Sequence, residues 1–171
     1  MLLVVYFDNF RNDLIKRLRE FNIEFEIVKY DSINLEKKYD TVIITGSKKR
    51  ILREHDFPVL ERLLTQNPRI HVIGICFGFQ YLALRSGGKL EEGRKFVGSR
   101  GTMFFNHFDR VTQLPEEKWT IVSRVEDFIN IAGTERWIGF QFHPEKSKTN
   151  FEHIVLPFIN KGTRRSLMIP Y

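Results

Sequence analysis

The chain has 171 residues, a formal net charge of +6, 42% hydrophobic and 13% aromatic residues, and one cysteine. That length suits one domain spanning residues 1–171, and the apolar content suits a sizeable buried core. A single cysteine excludes an internal disulfide, no Cys/His cluster has zinc spacing, and no apolar run approaches a membrane span. The basic residues are spread along the chain without a nucleic-acid motif, which fits a solvated surface better than a nucleic-acid footprint. The opening MLLVVYF has no basic residue before it and reads as a first strand, not a signal peptide. The expectation is a reducing, cytoplasmic compartment, with no membrane and no metal.

The first half alternates strand and helix. LLVVYF (2–7) is a continuous apolar run, as expected of a strand buried on both faces. Asp8 or Asn9 is placed to cap a helix whose apolar face is Leu14, Ile15, Leu18 and Phe21. FEIVKY (25–30) and TVIIT (41–45) read as the next strands. Pro58 opens a helix with Val59, Leu60, Leu63 and Leu64 on one face, stopping near Asn67-Pro68. IHVIGI (70–75) is a fourth buried strand, and from Phe77 the pattern is helical until Gly87-Gly88. This alternation predicts an α/β fold: a mostly parallel central sheet flanked by helices, flavodoxin-like in type.

The second half differs in texture. TMFFNHF, WTIVSRV, DFINIA and WIGFQF are short β-rich runs separated by turn signals such as Pro115 and Gly133. They predict a strand-rich segment returning to the main sheet. A last helix is expected over Phe151 to Ile159, with Pro157 working against its continuity. The tail TRRSLMIPY has no clear period.

Cys76 lies in GICFG, between a buried strand and a helix. G-x-C-x-G in that context is a thiol version of the nucleophile elbow: a tight, strained turn with glycines where side chains would collide. A helix N-terminus with unpaired N–H groups favours a thiolate, and the Phe77 N–H supplies an oxyanion donor. An inert core cysteine fits this stretch equally well by itself. The second feature is GFQFHPEKS (139–147). A thiolate needs a base, and His143 is a candidate. On an extended backbone Glu145 lies on the same side as His143 and fixes its tautomer. A surface histidine beside a solvated Glu is the alternative for H-P-E alone. Taken together, the two motifs favour a nucleophile with its base. His55, His71, His107 and His153 lack such surroundings.

These residues resemble the class I, triad-type glutamine amidotransferases. GICFGFQ is similar to their G-x-C-x-G-x-Q motif, and GFQFHPE to their G-x-Q-F-H-P-E segment. NHFDRVTQLP (106–115) resembles S-H-x-D-x-V-x-x-L-P of GMP synthetase glutaminase domains, and YFDNFRNDLIKRL the start of anthranilate synthase small subunits. The resemblance spans nearly the whole chain. It implies a Cys76–His143–Glu145 triad that attacks the side-chain amide of glutamine and passes through a glutamyl thioester. The ammonia released would go to a partner synthase subunit, with no cofactor required. It further implies Gly46 as the second oxyanion donor beside Phe77, and Gln80, His107 and Asp109 as substrate-binding residues. One departure stands out. The family's oxyanion loop is normally of the S-G-G-P or S-P-G-P-G type, whereas here it reads TGSKKR (45–50). Two competing readings follow: a stand-alone γ-glutamyl amidase, or a binding module weakened at that loop. Lys48, Lys49, Arg50 and Arg53 form a basic cluster there, read as a solvated loop in preference to an acidic-partner surface.

Overall fold

The computed structural model describes residues 1–8 and 12–167. Asn9, as a possible cap, and the last four residues of the tail lie outside that range. β1 (Leu2–Tyr6), β2 (Phe25–Lys29), β3 (Thr41–Ile44) and β4 (His71–Ile75) alternate with α1 (Asn12–Glu20), α2 (Pro58–Gln66) and α3 (Phe77–Arg85). The seven-stranded sheet has the order β2-β1-β3-β4-β9-β8-β7. Its first five strands run parallel, and β8 (Phe128–Gly133) and β7 (Thr120–Val125) close that edge, with β8 antiparallel to β9 (Trp137–Phe140) and β7 antiparallel to β8.

Two apolar layers form because alternate residues of a central strand face opposite ways. Leu3 and Val5 of β1 join α2 and α3 residues such as Leu60, Leu63 and Leu82 on one face. Leu2 and Val4 join Leu14 and Leu18 of α1, together with Phe151 and Ile159, on the other. Burying both faces explains the uninterrupted apolar runs.

Two local expectations are corrected, and one strand without a sequence signal is added. β5 (Lys89–Arg100) is a full strand that pairs with β6 (Met103–Gln113) in a separate two-stranded hairpin. Its sequence KLEEGRKFVGSR is largely exposed and carries no apolar alternation to reveal it. The TMFFNHF run therefore belongs to the hairpin and not to the main sheet. The C-terminal helix is also longer than expected: α4 (Lys148–Asn150), a wide turn over Phe151–Val155 and α5 (Leu156–Leu167) run on without a break. Pro157 sits in the first turn of α5, and the Leu156 N–H reaches back five residues to Phe151 O. Wide turns of this kind accommodate a residue that cannot donate.

No helix among the described residues is long and apolar enough to cross a membrane.

Candidate active site

The register of two parallel strands brings the two motifs together. Ile75 at the end of β4 pairs with Phe140 at the end of β9, so Cys76 and the 141–145 segment leave the sheet side by side. This is the carboxyl edge of the strands, where open α/β sheets place their ligands. The Cys76 N–H donates to Phe140 O at 2.6 Å. Cys76 has φ 51° and ψ −102°, a left-handed backbone that a non-glycine residue adopts only under constraint. α3 begins at the next residue, so the thiol sits at its N-terminus.

The two elbow glycines are required by contact. A Cβ at Gly78 would lie 2.1 Å from Ile44 O, the carbonyl at the end of β3. At Gly74 it would lie 2.7 Å from the Phe79 N and 2.8 Å from Gly78 backbone atoms. Phe79 has a packing role of its own: its ring fills the space above Gly139, where a Cβ would come within 1.9 Å. The Phe77 ring is buried against Phe7 and Phe57, leaving its backbone N–H at the start of α3 as the group available to a ligand.

His143 is fully buried, with Glu145 and Cys76 at 2% and 3% exposure. His143 Nδ1 lies 2.8 Å from Glu145 Oε1. The contact is the expected one, but the backbone is not extended. Pro144–Lys146 form a 3-10 turn, started by a proline whose fixed φ suits the first helical position. That turn folds Glu145 back onto the imidazole. The His143 N–H is held by Phe104 O at 2.8 Å, and Arg17 of α1 donates to the Glu145 carbonyl at 3.2 Å. Nε2 has no hydrogen-bond partner, so this nitrogen is available for proton transfer. Burial works against the imidazolium, but the nearby charges of Glu145 and Cys76 outweigh it and raise the His143 pKa. The arrangement thus favours the imidazolium form of His143.

Two further polar groups approach the sulfur: Asn106 O at 3.7 Å and Gln141 Nε2 at 4.0 Å. Neither stands out in the sequence, although both lie inside the quoted motifs. Gln141 is fully buried, and its Oε1 accepts from the Val111 N–H at 3.4 Å.

The other expected residues separate into two groups. Gln80 and Asp109 meet directly, the Gln80 side-chain amide donating to the Asp109 carbonyl at 2.5 Å. The Asp109 carboxylate is 2% exposed and accepts from Arg50 Nε and Nη2 at 3.0 and 2.6 Å. His107 is buried among Phe96, Phe105 and Phe128, with neither ring nitrogen hydrogen-bonded. Desolvation dominates its titration, and its pKa is lowered to about 4, so it is neutral near pH 7.

The basic cluster is a solvated loop only in part: Lys48 and Arg53 are exposed, whereas Arg50 is half-buried between Asp109 and Glu92, and Lys49 pairs with Glu54. Asp109 lies 59 residues from Arg50, so local sequence carries no sign of that pairing.

The glutamine amidotransferase class-I family matches residues 2–160, and the chain belongs to that family. It is 26% identical to a glutamine-hydrolysing GMP synthase of Petrotoga mobilis over 172 residues, covering 88% of this chain and 33% of that protein. It is 28% identical to the corresponding enzyme of Staphylococcus aureus over 179 residues, covering 91% and 34%. The chain therefore spans about a third of the length of these curated relatives. Among solved structures, a candidate GMP synthase subunit of Thermoplasma acidophilum superposes with a TM-score of 0.81 at 18% identity, covering 98% of this chain and 96% of that one. A glutamine amidotransferase of Thermotoga maritima superposes with a TM-score of 0.65 at 20% identity, covering 96% and 84%. At these identities the likeness is one of fold.

Proposed function

We propose that this chain is a glutaminase domain that hydrolyses the side-chain amide of glutamine and supplies the ammonia to a synthase partner. The observation that carries the reading is the strained Cys76 at the start of α3, beside a buried His143 whose Nδ1 is held by Glu145. The Cys76 thiolate attacks the amide carbon, and the carbonyl oxygen takes the negative charge. The donors assigned to that oxygen are the Phe77 N–H and, by the resemblance, the Gly46–Ser47 amide. On collapse the C–N bond breaks, and the leaving nitrogen takes the Nε2 proton of His143 and departs as ammonia. A glutamyl thioester remains. Neutral His143 then takes a proton from water as its oxygen attacks the thioester, and the C–S bond breaks to give glutamate and the thiolate. Glu145 holds the imidazole in one tautomer and stabilises its charged form throughout. By the resemblance, Gln80 contacts the substrate, and His107 and Asp109 belong to a segment near its amino-acid end. The relatives make GMP synthesis the first acceptor reaction to test.

The test is ammonia release from a panel of glutamine, asparagine and γ-glutamyl amides and peptides, each assayed with and without a GMP-forming synthase subunit. The expected result is turnover of glutamine alone, slow in isolation and raised by the synthase, and lost in Cys76→Ala. Equal turnover of γ-glutamyl peptides would make the chain a partner-free amidase, and an undiminished rate in Cys76→Ala would remove the thiol from the chemistry.

A further inference from the structure

The segment TGSKKR carries the Gly46–Ser47 amide, yet beyond Gly46 it has no glycine or proline to set its shape by backbone chemistry. None of its residues has a positive φ. Its shape comes from side chains at both ends. At the first end, Asp8 follows β1 and turns Oδ2 onto the segment, accepting from Ser47 Oγ at 2.9 Å and from the Lys48 N–H at 2.7 Å. Ser47 Oγ in turn accepts from the Lys49 N–H at 2.9 Å. One carboxylate and one hydroxyl thereby fix two consecutive backbone N–H groups directly after the Gly46–Ser47 amide.

At the other end, Arg50 crosses to the β5–β6 hairpin. Its Nε and Nη2 share Asp109 Oδ1, its Nη2 reaches Glu92 Oε1 at 2.8 Å, and its guanidinium lies 4.5 Å from the centre of the Phe108 ring. Asp109 is buried, and its carbonyl is bonded by Gln80 of α3, one turn beyond Cys76. Arg50 therefore ties the loop to the same short stretch of β6 that is fastened to the nucleophile's helix. The start of the loop is anchored to the sheet, with the Thr45 N–H on Val5 O at 3.0 Å. The peptide after Gly46 is thus held between three fixed points: β1, Asp8 and Asp109.

We infer that Asp8 and Arg50 are positioning residues that hold the Gly46–Ser47 amide as a preset oxyanion donor, in place of the stiffness of a Gly- and Pro-rich loop. The inference rests on the glutaminase reading and extends it. An amide held before the charge develops needs no reorganisation when the tetrahedral intermediate forms. A loop loosened at the Asp8 clamp would bind glutamine as before and stabilise the intermediate less, which lowers kcat and leaves KM in place; loosening the Arg50 clamp lowers kcat in the same way and also frees Asp109.

The test compares Asp8→Ala, Asp8→Asn, Arg50→Ala and Arg50→Lys in the full chain by three readouts. Amide hydrogen exchange of the peptide covering residues 46–53 reports loop order without reference to activity. Steady-state kinetics with glutamine give kcat and KM separately. Alkylation of Cys76 by iodoacetamide, a displacement that needs no oxyanion donor, reports the state of the thiolate. Both alanine variants are expected to exchange faster over 46–53 and to lose about 10- to 100-fold in kcat, part of what loss of a whole donor costs. The alkylation rate stays within about twofold of the parent in both, and KM does so in Asp8→Ala, since neither depends on the donor. Asp8→Asn keeps one acceptor and retains more activity than Asp8→Ala. Arg50→Lys keeps the charge but loses the fork, and gives an intermediate loss even if Arg50→Ala unfolds by stranding Asp109. Unchanged exchange in the variants overturns the inference. So does a kcat loss matched by an equal loss of alkylation, which would place the damage at the elbow. A parent chain that hydrolyses no glutamine would count against the glutaminase reading, while the exchange data would still decide whether Asp8 and Arg50 hold the loop.

Discussion

Replacing His143 by asparagine is expected to lower kcat/KM for glutamine by about 10³- to 10⁶-fold, the range seen when the base of a nucleophilic triad is removed. The argument is local. His143 Nε2 has no hydrogen bond, Nδ1 is held by Glu145, and the charges of Glu145 and Cys76 keep the ring protonated despite its burial. In the proposed reaction that proton is the one ammonia leaves with. An asparagine side chain can donate to Glu145 and so keep the buried carboxylate partnered, but it can neither give nor take a proton at the sulfur. Glu145→Gln is expected to cost less, about 10²- to 10⁴-fold, because a neutral amide still orients the ring without stabilising its charge. His107 does not substitute for His143. It is neutral, packed among phenylalanines, and has no carboxylate on either nitrogen. Ammonia release by the purified variants, checked for intact folding, tests this. A His143→Asn rate within about tenfold of the parent would place the base elsewhere.

The second large effect is on stability. Gly78→Ala is expected to destabilise the chain by about 2 kcal/mol or more, although alanine is the better helix former by about 1 kcal/mol. The new Cβ would meet Ile44 O at 2.1 Å, and a backbone carbonyl in the central sheet cannot move aside as a flexible side chain could. The strain falls on the end of β3, directly before Thr45 and Gly46, so the oxyanion segment shifts as well. Gly98→Ala is the control. A Cβ there meets nothing within 4 Å, and the substitution is expected to be neutral or stabilising by up to about 1 kcal/mol. Urea unfolding of both variants gives the comparison, and equal stability of the two would mean that the close approach of α3 to β3 is not tight.

The parts legible in the sequence are those written in local periodicity or short motifs. LLVVYF, TVIIT and IHVIGI read as buried strands because both of their faces are covered. The Glu145–His143 contact is legible because the partners are two residues apart, although a 3-10 turn and not a strand brings them together. The meeting of Cys76 with His143 depends on β9 lying next to β4, a pairing between segments more than sixty residues apart that no local pattern reveals. β5 escapes a reading by periodicity because a hairpin exposed along most of its length needs no apolar alternation. Arg50 reads as one cation among several. Its place beside Asp109 is set by how the hairpin folds over the loop, and charge alone does not show which of four neighbouring cations will meet a buried carboxylate. The departure at TGSKKR looks from sequence like a lost oxyanion loop. Its hydrogen bonds to Asp8 and Asp109 give it an alternative source of order.

The most direct test of the central claim is intact-protein mass spectrometry of the chain mixed with glutamine and quenched in acid during turnover. The account predicts a transient species heavier by one glutamyl group, with the adduct on Cys76 after digestion, and no such species in Cys76→Ser. Ammonia release without any adduct, or an adduct on another residue, would contradict it.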